Sequence, residues 1–214
     1  KLLNPKIKVI GVEPAGAGCM KASFEAGKVA SLPTVNTIAD GTAVKTPGET
    51  IFPYIRKNLD DILTIEDNEL VVAFLDMVEN HKIVVENSGL LTVAALKHLN
   101  VTGKRIVSIL SGGNMDVITM SSVVQQGLIL RDRIFTVSIL LPDKPGELSK
   151  VADTIAKEQG NVIKLEHNQF VSINRNAAVE LRITLECFGT EHKRQIMKAL
   201  EKAQYKPKQV RTSL

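Results

Sequence analysis

"ILSGGNMD", residues 109–116, closes an apolar run that starts at Arg105. The run Arg105-Ile106-Val107-Ser108-Ile109-Leu110 reads as an interior strand, because branched apolar residues follow one another without turn chemistry. The adjacent Gly112 and Gly113 let a backbone come close to something. That something is either the next helix or a ligand. Taken alone, the stretch reads as a strand-to-helix turn with Ser111 or Asn114 as the cap.

Upstream of this stretch the chain alternates. Residues 6–12 read as a short strand and 18–32 as a helix, followed by an irregular stretch, 33–44, with turn chemistry at Asp40-Gly41. A short helix over 47–59, opened by Pro47-Gly48, leads to a strand at 61–65. The helix at 66–80 places Leu70, Phe74, Met77 and Val78 near a 3.6 period. A short strand at 83–85 precedes a helix over 87–99 with Asn87 or Ser88 as its cap. Strands alternating with helices predict an α/β unit with a parallel sheet covered on both faces. Ligands of such sheets gather beyond the carboxyl ends of the strands, where both "ENSG" (86–89) and "SGGN" (111–114) lie.

Downstream, after a helix over 115–132, the grammar changes. Residues 133–143 alternate as a strand, and 144–160 form a helix with Leu148, Val151 and Ile155 on one face and Gly160 as the stop. Residues 161–170 are a strand. The cleanest strand is 177–188: Val179, Leu181, Ile183, Leu185 and Cys187 face one way, and Glu180, Arg182, Thr184 and Glu186 the other. A helix at 191–203 and a strand at 205–210 complete a βαββαβ order, the ferredoxin-like arrangement. The boundary falls near 131–133, giving domains 1–131 and 132–214.

Composition excludes several classes. The 214 residues are 44% hydrophobic and 23% charged, as expected for a globular protein. The net charge of +4 comes without a dense basic stripe, and aromatics are 4% with no Trp, so a nucleic-acid partner is not expected. No apolar stretch is long enough to span a bilayer. Cys19 and Cys187 share no metal-type spacing, which fits a reducing compartment, the cytoplasm. His81, His98, His167 and His192 have no paired spacing and read as surface or structural residues. The opening "KLLNPKIKVIGVEP" looks like the last turn of a helix followed at once by a strand, so further chain is expected before Lys1.

The ordered set "GVEPAGA", "TIADGTAV", "VVENSGLLTVAALK" and "ILSGGNMD" resembles the C-terminal half of the pyridoxal-phosphate enzymes of the tryptophan-synthase-β fold type (fold type II). Within them it is most similar to the threonine ammonia-lyases and serine racemases. "LLPDKPGELSKVADTIA" resembles an ACT domain, the amino-acid-sensing module. The resemblance implies a part of a pyridoxal-phosphate enzyme that converts L-threonine to 2-oxobutanoate and ammonia in amino-acid metabolism. A relative acting on serine, or a non-catalytic amino-acid-binding module, are the alternatives. It implies that Ser111 holds the ring nitrogen of the cofactor and that Gly112 lets the backbone pass close to the ring. A neutral hydroxyl, unlike a carboxylate, leaves that nitrogen unprotonated and the ring a weaker electron sink. It implies that Glu86 is a cofactor-side carboxylate, where the residues alone equally give a first-turn acid at a helix N-terminus. It places Gly41 in a loop near substrate and cofactor, where the residues alone give a turn.

In the second unit the resemblance implies an amino-acid effector at Asp143, Gly146, Glu147 and Leu148, across an interface between two such domains. The alternative is a capped turn with no ligand. Free N–H groups at a helix start favour a carboxylate. Exposed edges of a ferredoxin-like sheet invite pairing, so a homo-oligomer is expected. Glu13 and Ala17 match a divalent-metal site of some relatives, but Cys19 stands where a second acid would be, and no metal site is expected. The family's cofactor-binding lysine motif and phosphate-binding glycine loop are also missing from the sequence. The chain by itself is therefore expected to be inactive.

Overall fold

Strand β5, Val179–Glu186, organises the second half of the molecule. In the computed structural model, which describes residues 1–169 and 179–213, its alternation runs as the sequence predicts. Val179, Leu181, Ile183 and Leu185 are buried, with Cys187 continuing the row. Phe170, Ala177 and Ala178, assigned to strand ends from sequence, lie outside the described residues. β5 pairs antiparallel with β3, Ile134–Leu141, and with β4, Asn161–Asn168. β3 also pairs with the short β6, Lys208–Val210, giving the sheet order β4-β5-β3-β6. With α6, Glu147–Lys157, and α7, Thr190–Lys202, the order is βαββαβ with the strand arrangement of a ferredoxin-like unit. Val151, Ile155, Ile196 and Leu200 come down from the helices onto Phe135, Val137, Ile139 and the β5 row. Thr184 departs from expectation. It faces away from the helices yet is 3% exposed, because its hydroxyl meets that of Thr136 at 2.9 Å. Gly160 does not stop α6. Gln159 takes the left-handed turn (φ 62°), and Gly160 is needed for space, since a Cβ there would lie 2.8 Å from Ile155.

The chain divides into two compact units, Lys1–Gly127 and Leu128–Leu214. In the first, β1, Ile10–Pro14, pairs parallel with β2, Asp61–Ile65. The first strand thus starts later than the 6–12 reading. Helix α1, Cys19–Ala26, ends where Gly27 turns left-handed (φ 70°), well short of residue 32. Helix α2, Phe52–Asn58, begins beside Pro53 rather than at Pro47. Helix α3, Asp67–Asp76, runs into a wide π turn, Met77–His81, and carries Leu70, Phe74 and Leu75 into the core. The predicted helix over 87–99 is one α turn, α4, Leu91–Ala94, between 3-10 turns at Asn87–Leu90 and Ala95–His98. Helix α5, Val117–Leu130, brings the chain to the division at Gly127. Its Gly127 lies against Leu75, which would sit 2.6 Å from a Cβ.

Two expected strands do not form among the described residues. Residues 83–85 and 105–110 take no regular structure and belong to no ladder. Val107 and Ile109 are 89% and 70% exposed, so 105–110 is not interior. Its tie to the unit is through Thr92, whose hydroxyl donates to the Ile109 carbonyl at 2.9 Å and whose carbonyl accepts from Ser108. The apolar run carries the propensity of a strand, but a strand exists only where a neighbour takes its N–H and C=O groups. Among the described residues no helix is long and apolar enough to cross a membrane.

Candidate functional site

Three loops of the first unit converge. The "ENSG" loop, the 3-10 turn after Glu86, is the hub. Glu86 does not satisfy its own turn as a capping acid would. Its carboxylate instead accepts the Asn114 N–H at 3.1 Å, and its N–H donates to the Gly112 carbonyl at 3.4 Å. Gly112 is left-handed (φ 79°), and a Cβ there would fall 2.2 Å from the Glu86 carboxylate. That carboxylate therefore occupies space that only glycine leaves open. Gly89 shows the same intimacy from the other side, since a Cβ on it would lie 1.8 Å from the Ser111 carbonyl. Ser111 itself is exposed, and its hydroxyl makes no hydrogen bond among the described residues.

The third loop, at Asp40-Gly41, comes in from the far side. A Cβ on Gly41 would be 3.0 Å from the Ser88 hydroxyl and 3.6 Å from Glu86 Oε1. Asn87 bolts the loops together, its amide donating to the Ile38 carbonyl at 3.0 Å. Asp67, at the start of α3, holds the same loop by accepting from the Thr37 hydroxyl at 2.6 Å and the Ile38 N–H at 3.0 Å. Sequence reading missed Asp67, which looks like an ordinary first-turn acid; its partners are thirty residues away and leave no local signal. The loops border a cleft of about 580 Å³ lined by Asp40, Glu86, Asn87, Asn114, Thr119 and Gln126. Two buried polar atoms beside it, Asn87 Oδ1 and the Ser88 hydroxyl, have no partner among the described residues. Buried polar groups are costly to leave unpaired, so orphans at a cleft fit a polar ligand.

Neither Ser111 nor Asn114 caps α5. Asp116 does, its carboxylate accepting the Ile118 and Thr119 N–H groups at 2.9 Å each and also bonding the Thr119 hydroxyl. The Thr119 bonds hold the Asp116 carboxyl below its ordinary range. Glu13 behaves likewise for α1. Its carboxylate accepts the Met20 and Lys21 N–H groups at 2.8 Å each, while burial pushes its acid upward. No cluster of candidate metal ligands occurs among the described residues.

In the second unit Asp143, Gly146, Glu147 and Leu148 border one hollow of about 340 Å³ at the start of α6. Gly146 is left-handed (φ 91°), and nothing stands within 4 Å of where its Cβ would be. His167, read from sequence as surface or structural, reaches the same hollow from β4. Glu147 is partly occupied by Lys150, which sits 2.7 Å away. His192 stacks on Phe188 and accepts its N–H at 3.0 Å, a structural role. Cys187 is a core residue, as expected, and burial pushes its thiol upward.

A family description, "Pyridoxal-phosphate dependent enzyme", matches residues 1–112. A protein named L-threonine ammonia-lyase from Geobacter sulfurreducens is 35% identical over 204 residues, which is 94% of this chain and 51% of that protein. The chain thus spans about half the length of the curated relatives it matches. Among solved structures, the processed form of threonine deaminase isoform 2 from Solanum lycopersicum covers 58% of this chain (38% of that one) at 30% identity and a TM-score of 0.55. The maize serine racemase covers 61% of this chain (42% of that one) at 33% identity and a TM-score of 0.52. The residues at the loop junction fit the cofactor this family carries: a free hydroxyl at Ser111, a carboxylate held by glycine-lined backbone and orphaned polar atoms at a cleft. The family match therefore agrees with the geometry, and the chain belongs to the pyridoxal-phosphate-dependent enzymes.

Proposed function

We propose that this chain is the ring-side part of a threonine ammonia-lyase that converts L-threonine to 2-oxobutanoate and ammonia. The observation that carries this reading is the interlock of Glu86 with Gly112, which sets "SGGN" and "ENSG" against each other at one cleft. Bound pyridoxal phosphate supplies the electron sink that makes the substrate Cα–H acidic. Ser111 would hold the ring nitrogen with a neutral hydroxyl. Gly41 would leave the neighbouring loop without a side chain, and Glu86, in the space left by Gly112, would be the fixed carboxylate on the cofactor side. The family's lysine motif is not in this sequence, so the 214-residue chain alone is expected to release no product.

The second unit is proposed as an ACT-like regulatory domain. Asp143, Gly146, Glu147 and Leu148 would receive an amino-acid effector there, with its carboxylate at the start of α6. A change in its occupancy would couple to the catalytic part of a homo-oligomer. The serine racemase likeness supports serine as the second substrate to be tried.

The test is 2-oxobutanoate release from L-threonine, and pyruvate release from L-serine, by the whole protein that carries this chain. Ser111→Ala is expected to lower turnover of threonine about tenfold, the rate equivalent of one neutral hydrogen bond. Equal turnover in the variant, or product from serine alone, would overturn the assignment.

A further inference from the structure

The face of the four-stranded sheet that carries no helices has a hollow of about 250 Å³, bordered by Thr136, Thr184, Lys164, Glu166, Arg182 and Arg211. Its floor is the facing pair Thr136 and Thr184, only 6% and 3% exposed although no helix covers them. Long cationic side chains stand around them at the lining of the hollow. The two hydroxyls share one hydrogen bond at 2.9 Å, which uses one hydroxyl proton; the pair keeps a second to donate. On the rim, Lys164 lies 3.0 Å from Glu166, and Arg182 turns its Nε to Glu180, also at 3.0 Å. Arg211 has no ion pair or hydrogen bond among the described residues. Three cations and one carboxylate thus border a concave site floored by buried hydroxyls. Two of the cations share carboxylates at the rim, and Arg211 is left to meet an anion in the hollow.

We propose that this hollow binds a phosphoryl group, either the free ion or the monoester of a small polar molecule. The chemistry favours phosphate over carboxylate. The planar guanidinium fork of Arg211 suits the oxygens of either group, and the cationic surplus at the lining favours the more highly charged phosphate. The one spare hydroxyl proton of the threonine pair at the floor completes the set. This site is distinct from the effector hollow at the start of α6, which no residue of the two linings shares.

The experiment is calorimetric titration of the full chain with sodium phosphate, glycerol 3-phosphate and sodium acetate at matched ionic strength. Two variants accompany it. Arg211→Gln removes an exposed rim cation and leaves the fold intact. The double variant Thr136→Val, Thr184→Val replaces both hydroxyls by methyl groups of similar shape, a change that leaves no half-satisfied partner. Saturable phosphate binding, weakened about tenfold by each variant, is the expected result. If glycerol 3-phosphate binds as well as phosphate, the natural ligand is a monoester; if phosphate alone binds, it is the free ion. Heat that does not saturate, that persists unchanged in both variants, or that acetate reproduces would overturn the proposal.

Discussion

Glu13 illustrates how a single residue takes its role from distant backbone. In sequence it stands just past a short strand and matches part of a metal site. In the fold its carboxylate satisfies two N–H groups in the first turn of α1, where such groups have no partner within the helix. Desolvation raises its acid, and those two bonds pull the other way. Glu13→Ala should leave both N–H groups unpaired next to a buried Cys19, at a cost of about 1–3 kcal/mol. Urea denaturation of the full chain measures it, and an unchanged midpoint would mean that water takes over both bonds. Gly112 is the counterpart among small residues. Its value lies in what it lacks, because the Glu86 carboxylate fills the place of its side chain.

At the scale of the element, the start of α5 depends on Asp116. Bonds to Thr119 hold its carboxyl below the ordinary value. A group with a depressed folded pKa stabilises above its unfolded pKa, and the contribution is lost as pH falls through the folded one. The first turn of α5 should therefore loosen as pH is lowered from about 5 toward 2, below the usual carboxylate range. Amide exchange at Ile118 and Thr119 reads this directly. Asp116→Asn, which cannot titrate, should flatten the profile; a profile that keeps its shape would place the titration elsewhere. The run 105–110 teaches the opposite lesson. Its composition is that of a strand, yet it belongs to no ladder among the described residues, and Val107 and Ile109 stay exposed.

At the scale of the whole molecule, two cores exist. One gathers Leu70, Phe74, Leu90 and Leu91 of the first unit; the other gathers the β3 and β5 rows and the helices above them. The second is closed within Leu128–Leu214. That segment, expressed alone, is expected to unfold cooperatively on heating. Leu181→Ala in its centre should cost about 2–5 kcal/mol, the ordinary range for a fully buried leucine. A non-cooperative melt of the segment would show that its core is incomplete without the rest of the chain.

Much of this was legible from sequence. The alternation of 179–187 and the βαββαβ order follow from period and turn residues, which are local. The four motifs of the first unit named a pyridoxal-phosphate family, and "SGGN", "ENSG" and "ADG" do meet. Tertiary structure decided the rest. It put the Glu86 carboxylate onto Gly112, gave the cap of α5 to Asp116, tied the Asp40 loop to Asp67 and buried Thr184 on the wrong face for its strand. Each of these is a contact between residues far apart in sequence. Such pairs form only when the chain has folded, so no window of local pattern contains them, whereas hydrophobic period and turn chemistry are set by neighbours and can be read before any folding occurs.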